Sequence, residues 1–246
     1  MARTSGPKQP RDMAAALALL WDETERPTRG PKPSLDPRRI ADAAVAIADA
    51  DGLDAVSMAR VAGVFNLSGM ALYRYVPGRD ELVALMVEAI LTDRPDLSGA
   101  GNDWRAQLTA WARQSWAVHQ AHPWLLPATA MRRQAMGPHQ IGWMDAAIAA
   151  LQPTGLTAAQ QHQVFLLVAG LVRNLAQQQL DFDEAHAREW SRLNGELLAR
   201  HADRFPALTK AILDGAFTPI EDPLAFGLDR LFDGVQALID RARTPG

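Results

Sequence analysis

Cysteine is absent from all 246 residues. That removes disulfide frameworks and thiolate zinc sites from consideration, and it is compatible with a reducing compartment. Long apolar runs are missing too. The most apolar stretch, residues 164–172, is far shorter than the roughly 20 residues a membrane helix needs, and the N-terminus lacks the order of a secretory signal. A cytoplasmic protein with no membrane partner is the expectation. No segment alternates apolar and polar residues as a half-buried strand would, and no internal repeat is visible. The catalytic patterns are lacking as well: no nucleophile elbow, no His-Glu metal helix and no phosphate loop. An enzyme therefore has no convergent residue set to rest on, and neither a cofactor nor a metal is expected, although His119 and His122 stand at i and i+3 with His139 further on.

What is present is ample apolar material, 48% hydrophobic residues against 22% charged, enough for a small domain followed by a larger one. The net charge of -3 is uneven: residues 1–79 carry 11 Lys+Arg against 9 Asp+Glu, residues 80–246 carry 14 against 19. Residues 1–34 read as a flexible basic arm, polar and Pro-broken, with at most one or two helical turns between Met13 and Trp21. Within it, Arg26, Arg29 and Lys32 alternate with Pro and Gly in an extended stretch suited to DNA phosphates or the minor groove.

Residues 35–94 read as a compact helical unit. Asp36 can cap a first helix with Pro37 at its first position, Ile40, Ala44 and Ile47 on one face, and Gly52 after its end. Ser57 caps a short second helix carrying Val61, Ala62 and Phe65. Ser68 caps a third, expected over Gly69 to Tyr75, with Leu72 inward. Pro77-Gly78 stops it, and Asp80-Glu81 opens a fourth helix with Leu82, Leu85, Met86 and Ile90. A short helix, a tight turn and a second short helix make a helix-turn-helix, the shape that enters a major groove about 12 Å wide. The outward residues are Arg60, Gly69, Met70, Tyr73, Arg74 and Tyr75, flanked by Arg38, Arg39 and Arg79, with Asp42, Asp49, Asp51 and Asp54 expected elsewhere. Arginine pairs with phosphate or guanine, and the capping hydroxyls of Ser57 and Ser68 sit where anions are favoured. A purely structural reading makes the tyrosines packing residues and the arginines a solvated face.

Residues 95–246 read as a larger helical domain. Trp104, Leu108, Trp111, Ser115 and Val118 share a face ending at His122-Pro123, and residues 138–151 form another helix. Thr157 and Gln160 make a capping box for a helix through about Gln179 that is apolar nearly all round from Val164 to Val172. The last helix begins at Asp222-Pro223 and carries one stripe of Leu224, Leu228, Leu231, Val235 and Leu238, and a second of Ala225, Phe232 and Ile239. Two stripes suit a helix that packs on its own domain and on a partner, or one that is wholly internal. The dimer reading takes Val164, Leu167, Leu171, Leu224, Leu228, Leu231, Phe232, Val235 and Leu238 as its interface.

The run Arg38-Arg39-Ile40, then Asp51-Gly52-Leu53-Asp54-Ala55-Val56-Ser57-Met58, then Leu67-Ser68-Gly69-Met70-Ala71-Leu72-Tyr73-Arg74-Tyr75-Val76-Pro77-Gly78-Arg79-Asp80-Glu81-Leu82, resembles the DNA-binding domain of the tetracycline-repressor (TetR) family. Arg29 to Pro33 and Pro223 to Leu228 extend the likeness over nearly the whole chain. The resemblance implies an all-α fold, with an N-terminal three-helix DNA-binding domain followed by a larger helical ligand-binding and dimerisation domain. It implies DNA contacts at Ser57, Met70, Tyr73, Arg74, Tyr75 and Arg79. It gathers Trp116, His119, Trp124, Met131, His139, Trp143, Phe165, Arg173, Asn174 and Gln177 around an effector cavity, with Arg173 as anchor for an acidic effector. It further implies a homodimer on a palindromic operator, released when a small molecule moves the fourth helix. Ala59, Asn66 and Gly69 depart from the family pattern. Asn tolerates the left-handed turn conformation, whereas Ala59 and Gly69 shorten the groove-reading side chains. An activator of the same fold, or a helical ligand-binding protein whose DNA-reading surface is degenerate, are the other readings.

Overall fold

A computed structural model describes residues 10–21, 35–91, 94–130, 135–180 and 184–243, and among them every regular element is helical. The arm residues Arg26, Arg29 and Lys32, and Met131 of the expected effector set, lie outside the described residues.

The first helix, α1 (Pro10–Leu20), corrects the expectation of an arm with at most two turns. It buries Ala16 and Leu20 against the body of the protein, and the indole of Trp21 donates to the Met136 carbonyl at 3.2 Å. The run Ala14 to Leu20 is rich in Ala and Leu, and that apolar face lowers its free energy only by covering another helix.

Next comes α2 (Pro37–Asp51), built as its caps require: Asp36 Oδ1 accepts from Arg39 N at 2.8 Å, Pro37 opens the helix, and Gly52 at φ +82° ends it, its N–H returning to Ala48 O. Ile40, Ala41, Ala44, Ile47 and Ala48 are buried. The helix-turn-helix follows as α3 (Met58–Val64) and α4 (Gly69–Leu72). The latter ends three residues earlier than expected. Tyr73 to Tyr75 form turns, drawn inward by Val76, which is fully buried and donates its N–H to Leu72 O.

The fourth helix of this unit, α5 (Arg79–Ile90), is buried continuously from Leu82 to Glu88 rather than on one stripe. Its neighbours explain why: α1, α2, α7 (Leu125–Thr129) and α8 (Pro138–Leu151) all pack against it. The core is consequently one cluster running through both halves of the chain.

Beyond it, α6 (Trp104–Ala121), α9 (Ala158–Leu180) and α12 (Pro223–Arg243) pack on one another. The caps foreseen here are present: Gln160 N reaches Thr157 Oγ1 at 3.3 Å while Thr157 N reaches Gln160 Oε1 at 2.9 Å, and Ala225 N reaches Asp222 Oδ1 at 2.9 Å. Three helices had no expectation: α7, α10 (Glu184–Arg200) and α11 (Pro206–Leu213). Leu193, Leu197, Leu208 and Leu213 on the latter two are exposed.

On α12 the stripes divide differently from the sequence expectation. Leu224, Leu228, Phe232, Val235 and Ile239 go into the chain's own core, while Leu231 and Leu238 stay half-exposed. Val164 of α9 is likewise core, and Leu171 packs on Gly227 so closely that a Cβ there would lie 2.8 Å from its Cδ2. Of the nine expected interface residues, Leu167, Leu171, Leu231 and Leu238 thus keep appreciable exposure, and the other five are spent internally. Leu167, Leu231, Gly234 and Leu238 border an apolar groove of about 510 Å³ between α9 and α12.

Candidate DNA-reading surface and effector cleft

The reading surface is set by short-range chemistry. Ser57 Oγ accepts from Arg60 N at 3.2 Å and starts α3; Ser68 Oγ accepts from Ala71 N at 3.3 Å and starts α4. Between them Asn66 holds φ +56°, the left-handed conformation that aspartyl-type side chains tolerate, so the turn closes without glycine. The two shortened side chains are neighbours: a Cβ on Gly69 would lie 3.6 Å from Ala59 Cα, ordinary contact, so α3 and α4 meet through their smallest residues.

Met70 is 78% exposed, Tyr73 47%, and Arg74 is exposed with no ion-pair partner among the described residues. These three present themselves outward. Tyr75 is half-buried and packs on the core. Arg79 is a tie rather than a free side chain: its Nε donates to Val56 O at 3.2 Å and its Nη2 to Leu53 O at 3.0 Å, holding the start of α5 to the turn before α3. Nor do all the acids sit elsewhere, as expected from sequence. Arg60 pairs with Asp51, and Arg38 with Asp42 at 3.2 Å, so part of the basic face is neutralised. The Arg39 guanidinium stands 5.9 Å from the Phe65 ring centre.

The expected effector residues do not surround one cavity. Trp143 and Phe165 are edge-on to Trp111, at 6.1 and 5.7 Å between ring centres, and Trp111 Nε1 donates to Trp143 O at 2.8 Å. Trp116 packs on the same core and Asn174 is exposed. Buried His119 donates Nδ1–H to Ser115 O at 2.8 Å; burial pushes its pKa below the ordinary histidine value, the Ser115 bond opposes that, and the Arg173 charge adds to it. His139 turns the other way, its Nδ1 bonding the Glu88 carbonyl at 2.9 Å, and His122 Nδ1 meets Asp49 Oδ1 at 2.8 Å. Among the described residues, no three His, Asp or Glu side chains group as metal ligands.

Trp124, Arg173 and Gln177 do converge, on a cleft of about 530 Å³ at the junction of the two halves, faced by Asp49 and Leu53 at the end of α2. Sequence reasoning missed Asp49, which accepts from both His122 and Trp124 Nε1, the latter at 2.6 Å. It also missed Glu88, a buried carboxylate on α5 that accepts from His139 N at 2.8 Å and Gln140 N at 3.0 Å and so caps α8. The available signal was one acid inside the otherwise apolar run from Leu82 to Ile90, and the structure adds Gly137 at the start of α8, where a Cβ would collide with that carboxylate.

A helix-turn-helix with its outer face exposed, joined through a shared core to a larger helical domain, defines a DNA-binding regulator with a built-in sensor. Comparison identifies which kind. Residues 97–239 match the family model described as "Tetracyclin repressor-like, C-terminal domain". Over 242 residues the chain is 37% identical to the HTH-type transcriptional repressor DrrR1 of Streptomyces coeruleorubidus, covering 94% of this chain and 88% of that protein. It is 29% identical over 196 residues to an HTH-type transcriptional regulator of Saccharopolyspora erythraea, covering 78% and 81%. Apo ActR from Streptomyces coelicolor superposes with a TM-score of 0.71 at 27% identity, over 86% of this chain and all of that one; ActR in complex with actinorhodin gives 0.69 at 28%, over 83% and 97%. The chain belongs to the tetracycline-repressor family of transcriptional regulators.

Proposed function

We propose that the protein is a homodimeric repressor that binds a palindromic operator in the cytoplasm and releases it when its C-terminal domain takes up a small molecule. The observation that carries this is the outward face of α4 and its following turn, where a thioether, a phenol and a guanidinium with no ion-pair partner among the described residues are exposed at the tip of a capped helix-turn-helix. Met70 offers apolar contact to base edges, Arg74 and Tyr73 contact to phosphate. The repressor named above supports the direction of control, and the ActR complexes support release by a ligand.

The dimer reading rests on the groove between α9 and α12. Leu167, Leu231 and Leu238 border it, and nothing lies within 4 Å of where a Cβ on Gly234 would stand. Two such faces crossing would bury it. Two reading heads then fit half-sites about 34 to 36 Å apart, one turn of DNA. Selection of bound duplexes from a random pool is expected to return a palindrome of that spacing. Binding that is only non-specific and salt-sensitive would refute the regulator reading. For the dimer, Leu167→Asp with Leu238→Asp is expected to yield monomers in sedimentation at unchanged helicity.

A further inference from the structure

The junction cleft is lined from both halves of the chain, so anything bound in it touches the reading unit and the sensor together. Its volume, about 530 Å³, lies within the roughly 300–1,000 Å³ typical of small-molecule sites. Three features set the chemistry of an occupant. Arg173 is half-buried, with Nη1 on Thr129 Oγ1 and Nη2 on Leu126 O at 3.2 Å, and among the described residues no carboxylate stands within ion-pair distance of it. A cation held this way, partly desolvated and without an ion-pair partner among the described residues, favours an anion beside it. Across the cleft, Asp49 commits Oδ1 to His122 and Trp124, and its Oδ2 has no partner among the described residues. That oxygen accepts from a hydroxyl and repels a second acid. Between the two, Leu53, Leu126 and Pro127 are apolar.

We propose that this cleft is the effector site, and that it takes an amphiphilic monoacid: a carboxylate at Arg173, an apolar body against Leu53 and Leu126, and a hydroxyl toward Asp49. The inference rests on the ligand-responsive reading above and places its site at the junction, where the C-terminal domain meets the reading unit. An occupant there touches α2 of the reading unit and α7 and α9 of the sensor at once, which gives the ligand different affinities for the docked and undocked reading unit.

The test is calorimetric titration of the full-length protein, without DNA, with 6-hydroxy-2-naphthoate and with the neutral 2-naphthol. The acid is expected to bind at least about ten-fold more tightly, the range for a charge-assisted pair. Arg173→Gln should remove that preference and leave 2-naphthol unaffected. Leu53→Trp, which fills the cleft from the reading-unit side, should weaken both ligands by about ten-fold or more. Should Arg173→Gln fail to fold, since it also closes the end of α7, Ala130→Trp at the exposed rim makes the same exclusion. Equal affinity for acid and alcohol, no binding by the wild type at millimolar concentration, or acid binding untouched by Leu53→Trp or Ala130→Trp would each overturn the proposal. Because no DNA is present, these failures leave the regulator reading standing, and only the operator selection bears on that.

Discussion

Single side chains on the reading surface divide into those that face water and those that hold the unit together, and the two kinds fail differently. Arg74→Ala is expected to weaken operator binding and to reduce the slope of log affinity against log salt by about one, since one phosphate contact is lost. Fluorescence anisotropy at several salt concentrations measures this, and an unchanged slope would remove Arg74 from the interface. Arg79→Ala is expected to act on stability instead, because the part-buried Val56 carbonyl loses its side-chain donor and the Leu53 carbonyl is left with the Val56 N–H alone. The cost should be about 1–3 kcal/mol in urea unfolding. Sequence alone put both arginines on one DNA-facing list, because a guanidinium directed at a carbonyl and one directed at solvent look the same in one dimension. Gly69→Ala should be tolerated, the new methyl meeting Ala59 at ordinary contact distance. His119 contributes a pH dependence whose sign follows from burial. Its folded pKa lies below the ordinary 6.5, so the unfolded chain takes up the proton first and stability falls as pH drops from about 6.5 through the depressed value, with no change from this group above it. Chemical denaturation of wild type and His119→Met at pH 7.5 and 5.0 should show a smaller loss in the variant.

At the scale of elements, caps were legible and faces only in part: Ile40, Ala44 and Ile47 of α2 and Leu108, Trp111 and Ser115 of α6 are buried as expected. Asp36, Ser57, Ser68, Thr157 with Gln160, and Asp222 each start the helix expected of them, since a cap is decided by residues within three or four positions. The faces of α12 depend on what lies beside it, and periodicity could not assign Phe232 to the core and Leu231 to the groove. The effector residues suffered likewise: Trp143 and Phe165 share helical spacing with cleft residues yet serve a Trp111-centred cluster. Where an element depends on a distant partner, substitution exposes the dependence. Glu88→Ala should cost about 2–3 kcal/mol, since two N–H groups at the start of α8 lose a charged acceptor. Gly137→Ala should destabilise as well, its methyl displacing that carboxylate. Asp222 caps α12 and pairs with Arg113; the Arg113 hydrogen bond first, then the bond from Ala225 N, hold its pKa below the ordinary 3.8. Its contribution is therefore complete above about pH 3.8 and is lost as acid carries the pH through the lowered value.

At the scale of the whole molecule, one cluster of buried residues continues across the Gly/Ser break at residues 98–101 where the sequence places a domain boundary. Asp49 and Glu88 tie the halves by hydrogen bonds, and Arg94 pairs with Asp145 on α8. Thermal unfolding is accordingly expected as one transition, with far-UV circular dichroism and tryptophan fluorescence coincident; two separated transitions would show that the halves melt independently.

Seven consecutive buried residues on α5 leave that helix no face on which to slide. A lever lying on a surface can drift by degrees under a small force. One enclosed on every side moves only when its enclosure loosens, so intermediate positions are sparsely populated and departure from DNA should be abrupt for each molecule. Its backbone amides should be among the last in the chain to exchange with deuterium, and the same slow exchange would set the pace at which a saturating ligand empties the operator.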